Sequence, residues 1–76
     1  MDGEHLVAMA NRIAEFFDAM PERTEALDGV AQHIRRFWEP RMRRALVAHA
    51  AATGGEGLHP LVAQVLRERS AAVLGS

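Results

Sequence analysis

Four histidines, two serines, ten carboxylates and one glycine-rich loop are the residues of this 76-residue chain that could carry chemistry. A metal centre needs histidines, cysteines or carboxylates converging at helical or loop spacing. His5, His33, His49 and His59 show no i, i+4 pairing with one another, and the chain has no cysteine. They read as exposed or hydrogen-bonded side chains. Serine occurs only at Ser70 and Ser76, which leaves a hydroxyl nucleophile with its base poorly supported. Glu15 and Asp18, three apart, could mimic paired carboxylates for acid–base work, but a solvated acidic face is the simpler reading. Gly54-Gly55-Glu56-Gly57 precedes a predicted helix, as a phosphate-cradling loop would. No strand leads into it, no lysine follows, and Glu56 adds negative charge, so the loop reads as a helix C-cap and connector. No catalytic, cofactor-binding or metal-binding set emerges.

The elements that hold these residues read as helices throughout. Ala, Leu, Arg, Glu and Met dominate, tyrosine is absent and β-branched residues are few. The first helix is predicted over about residues 3–19, with Asp2 as N-cap and Leu6, Met9, Ala10, Ile13, Phe17 and Met20 as its apolar stripe. Pro21 ends it. The second spans about 22–37, with Leu27, Val30, Ile34 and Phe37 in line and Ala31 and Trp38 beside them. Gly29 within it either permits close helix approach or is tolerated at a cost of about 1 kcal/mol. Pro40 suits a first helical position and starts a third helix to about Ala52, with Met42, Ala45, Leu46 and His49 on one face. The loop at 53–57 precedes a fourth helix over about 60–73, with Leu61, Val62, Val65, Leu66 and Val73 apolar. The predicted fold is all-α: a single domain, residues 1–76, built as a bundle of three to four short helices.

Such a chain has little core. Of its 37 apolar residues 14 are alanine, leaving 23 larger side chains. Domains of this size draw only about 3–5 kcal/mol from their cores, and neither disulfides nor cysteine zinc sites are available here. Marginal stability or self-association in isolation is expected. No apolar run is long enough to span a membrane. The N-terminal Met1-Asp2-Gly3-Glu4 lacks the basic flank of a signal peptide. With no cysteine, these features lead to the expectation of a cytoplasmic, reducing environment.

Charge is distributed unevenly. Residues 1–30 hold seven acids and two arginines, for −5; residues 31–50 hold five arginines and Glu39, for +4; the whole chain is −1. All nine basic residues are arginine, whose rigid fork suits interfaces, carboxylates and phosphates. Five of them, Arg35, Arg36, Arg41, Arg43 and Arg44, surround Phe37, Trp38 and Met42. Tryptophan and arginine are the residues most enriched at interface hot spots. These eight residues are the candidate partner-binding surface, with Trp38 projecting from the helix break as an anchor. Two readings compete. In one, Phe37 and Trp38 are core and the arginines pair with the acidic first half. In the other, the arginines bind nucleic acid as part of a small regulator, against which the net acidic charge weighs.

The chain resembles the delta subunit of NAD-dependent, molybdenum-containing formate dehydrogenases. The resemblance runs over about residues 5–66. It is carried by Met9-Ala10-Asn11 with Ile13, Phe16-Phe17 and Pro21; by His33-Ile34, Arg36-Phe37-Trp38 and Pro40-Arg41-Met42-Arg43; and by Gly54-Gly55 with Leu58, Pro60 and Val62. Phe-Trp-x-Pro-Arg-Met-Arg is its specific element. The resemblance implies a bacterial accessory subunit, non-catalytic and without a cofactor of its own, that supports assembly or stability of the complex. It implies that the molybdenum cofactor, iron–sulfur clusters, flavin and NAD reside in partner subunits, the large catalytic subunit foremost. The absence of cysteines for cluster ligation agrees with this. Nucleic acid and membrane are not expected partners.

Overall fold

Prolines and glycines set most of the helix ends. The computed structural model describes residues 2–75. Five helices follow in order: α1 Gly3–Phe17, α2 Arg23–Phe37, α3 Pro40–Thr53, α4 Pro60–Glu68 and α5 Ser70–Leu74. There is no strand among the described residues, and the all-α expectation holds. Asp2 caps α1 through its side chain, which accepts from the Glu4 N–H. Pro40 and Pro60 occupy first helical positions, where a missing N–H costs nothing. Gly54 terminates α3 at φ 67°, a left-handed conformation that glycine adopts without a Cβ penalty.

Two boundaries differ from expectation. Helix α1 stops at Phe17 rather than near residue 19. Pro21 disfavours helical geometry at Met20, and the chain unwinds through a turn in which the Met20 N–H donates to the Phe17 carbonyl. The expected fourth helix is two. A continuous helix would put Arg69 in one stripe with Val62, Val65 and Val73, at spacings of 3 and 4. Instead the backbone breaks at Arg69 (φ −127°, ψ 23°). Its side chain turns out to pair with Asp28 at 3.0 Å, and Val73 returns to the core fully buried.

Helix α2 is the hub and packs against all four others. It buries Ala26, Leu27, Val30, Ala31 and Ile34 against Leu6, Ala10 and Ala14 of α1, Leu46 of α3, Leu61, Val62 and Val65 of α4, and Val73. The molecule is 18 Å along its shortest axis, consistent with two layers of helices that are each about 10 Å across. Glycine sets the closest approaches: Phe17 lies where a Cβ of Gly29 would stand, and the His49 ring where a Cβ of Gly3 would stand. Gly29 is therefore a close-approach position.

Asn11 ties the long loop to α1. Its Nδ2 donates to the Gly57 carbonyl at 2.9 Å and its Oδ1 accepts from the His59 N–H at 2.9 Å. His59 in turn caps α4, its Nδ1 accepting from the Leu61 N–H at 3.0 Å. One amide thus fixes the point at which α4 begins. Asn11→Ala is expected to cost about 1–3 kcal/mol through these unmade bonds. For a domain of this size each kcal/mol lowers the melting temperature by about 4–8 °C, so the loss reads out in a thermal melt. An unchanged melting temperature would show that the loop is held otherwise.

Candidate functional site

The arginine segment straddles the corner between α2 and α3, and the structure divides it. Trp38 leaves the helix in extended conformation (φ −96°, ψ 139°) while its N–H still donates to the Ile34 carbonyl. This turn carries its indole under the corner, where it is 6% exposed. Phe37, placed by periodicity in the core stripe, is instead 71% exposed. The two aromatics therefore exchange the expected roles. Once the helix ends, Trp38 no longer follows helical spacing, and its larger ring fills the space between the helices. The expectation that Trp38 projects as an anchor is corrected.

Arg43 is also withdrawn from the surface, at 5% exposure. Its Nη1 donates to the Val73 carbonyl at 2.9 Å, at the C-terminal end of α5, while its buried Nε has no partner. No carboxylate pairs with it among the described residues. The carbonyl end of a helix carries partial negative charge, which compensates the guanidinium. Arg35 approaches the same end and, with Arg43, fills the space a Cβ of Gly75 would need. Arg43→Ala should release α5 at a cost of about 1.5–3 kcal/mol, the range for hydrogen bonds to charged groups. Hydrogen exchange at the α5 amides should quicken well beyond that of α2. Equal protection in both proteins would contradict this role.

Arg35, Arg36, Arg41 and Arg44 remain exposed. None makes a salt bridge to a carboxylate among the described residues; the bridges present use Arg23 with Asp18 and Arg69 with Asp28, and His59 lies 3.7 Å from Asp18. The acidic first half therefore does not neutralise the arginine corner. Helix α3 also gains nothing from Arg41 in its first turn, which holds no acid and receives no side-chain cap from Glu39. Cations there oppose the helix dipole. Met42 is half-buried against the core.

A row of rings continues from this corner across α2 and α1. Phe37 lies 4.8 Å from His33, His33 lies 6.3 Å from Phe17, and Phe17 meets Phe16 edge-on at 5.1 Å. Phe16 is 75% exposed. Sequence reading passed over this row, although Phe16 falls off the α1 stripe, which was a signal that it faces outward. Among the described residues no group of three or more His, Cys, Asp or Glu side chains is placed to hold a metal ion. No helix among the described residues is long and apolar enough to cross a membrane.

The family described as NADH-dependent formate dehydrogenase delta subunit FdsD matches residues 5–66. The chain belongs to this family. No curated protein and no solved structure matched it. The match covers α1 to most of α4 and leaves out α5. Among the delta-subunit motif residues, several have work inside the chain: Asn11 holds the loop, Phe17 covers Gly29, Trp38 and Ile34 fill the core, Arg43 holds α5, and Pro40, Gly54 and Pro60 set helix ends. Phe16, Arg36, Phe37 and Arg41 are exposed, and among the described residues neither arginine makes a side-chain hydrogen bond or salt bridge.

Proposed function

We propose that this chain is a non-catalytic accessory subunit that docks on the large catalytic subunit of a formate dehydrogenase complex and supports its assembly or stability. Family membership supplies the complex. The observation that carries the docking reading is the corner of four exposed arginines, Arg35, Arg36, Arg41 and Arg44, beside exposed Phe37, none of them in a salt bridge among the described residues. Charge left uncompensated on a marginal domain costs solubility nothing but gives a partner with acidic surface a site to recognise. In this reading the molybdenum cofactor, iron–sulfur clusters, flavin and NAD belong to the partner subunits, and the complex is cytoplasmic.

Co-expression of the tagged chain with the enzyme subunits, followed by elemental analysis, tests the proposal. Molybdenum and iron should come down with the chain in the complex, and neither should stay with the chain once separated. Omitting the chain should lower the yield of assembled complex while leaving kcat per molybdenum unchanged. Stoichiometric metal on the separated chain, or an undiminished yield without it, would refute the accessory role.

A further inference from the structure

The ring row flanks a groove of about 220 Å³ lined by Phe17, Gly29, Gln32, His33, Arg36 and Phe37. Its floor exists because Gly29 has no Cβ and the Phe17 ring occupies that space. Small-molecule sites run to about 300–1,000 Å³, so this groove suits an inserted side chain rather than a cofactor. Its walls are aromatic, and the only charge lining it is Arg36, which has no carboxylate partner among the described residues. A second copy fits poorly, because two such faces would bring two guanidiniums and no lining carboxylate to one interface. Phe37 on its wall stacks near His33, and Phe16, outside the lining, meets Phe17 edge-on, so both exposed rings beside the groove have a ring neighbour and lose less side-chain freedom on contact.

We infer that this groove receives a partner-subunit segment in which a large apolar side chain seats over the His33 ring, flanked by Phe17 and Phe37, and an adjacent carboxylate pairs with Arg36. The inference rests on the docking reading and names the chemistry of what docks. Arginine and carboxylate form paired, charge-assisted hydrogen bonds, which fix the register of the segment while the apolar side chain supplies burial.

The test uses the assembled complex. Phe37 and, separately, Phe16 are replaced by photoreactive p-benzoylphenylalanine, and cross-linked peptides are identified after irradiation. Both positions should link to one partner segment that carries an Asp or Glu beside a large apolar residue. Arg36→Glu, with unchanged helicity, should weaken association by about tenfold or more, and reversing the partner's carboxylate to arginine should restore it. Cross-links only between copies of this chain, no cross-link, or a linked segment without a carboxylate would overturn the groove assignment. So would an Arg36→Glu variant that binds like the parent. If the chain still co-purifies undiminished in those cases, docking stands and only the groove falls. If the parent chain fails to co-purify, both fall.

Discussion

Trp38→Ala should abolish the fold. The indole is 6% exposed and packs with Ile34, Leu46 and the rest of a single core cluster. Truncating a buried aromatic costs about 3–5 kcal/mol. A domain of this length draws only about 3–5 kcal/mol from its core, so the substitution removes most of what is there. The far-ultraviolet helical signal should collapse and the cooperative melt should vanish. Phe37→Ala, one residue away, should leave both intact, since exposed substitutions stay within about 0.5 kcal/mol. Retained helicity in Trp38→Ala, or unfolding in Phe37→Ala, would invert the roles assigned to the two rings.

That contrast also marks how far the sequence is legible. The helices follow from apolar periodicity punctuated by Pro21, Pro40, Gly54 and Pro60, each of which acts locally through its own backbone. The stripe of α2 was readable up to Ile34 because the helix is regular there. At its end it failed: Phe37, the last helical residue, keeps the spacing yet is exposed, while Trp38 is oriented by a non-helical turn on which periodicity has no bearing. The break at Arg69 was hidden for a related reason: no proline or glycine marks it, and only the partner Asp28, 41 positions away, and the return of Val73 to the core account for it. Arg43 looked like its neighbours in sequence. Its burial depends on where α5 ends, a tertiary fact. Asn11 and Phe16 were visible as motif residues, but their roles needed the loop and the α1–α2 face to be in place. In the candidate site, Arg35, Arg36, Phe37, Arg41 and Arg44 remain on the surface as read, while Trp38 and Arg43 turned inward.

The second large effect concerns binding and should run opposite to stability. Arg41→Glu and Arg44→Glu place acids near the N-terminal end of α3, which lacks any acid in its first turn. An acid in a first turn gains about 0.3–1 kcal/mol, which applies to Arg41→Glu at the second helical position; Arg44, a turn further in, is near neutral, so the changes at α3 should leave stability level or slightly raised. Arg36 sits in the last turn of α2, where a cation is favourable, and its reversal should return a similar small amount. The triple variant should thus melt close to the parent. Its association with the large formate dehydrogenase subunit should nevertheless slow and weaken by about tenfold or more, and lose its dependence on salt. A variant that both melts early and fails to bind would instead point to arginines holding the fold.

Equilibrium titration of the purified large subunit with the labelled chain, parent and triple variant side by side at low and physiological salt, addresses docking most directly. The parent should saturate with an affinity that falls as salt rises, and the folded triple variant should fail to saturate over the same range. Equal affinity for the two proteins, or a parent that ignores the large subunit yet binds duplex DNA with steep salt dependence, would contradict the account.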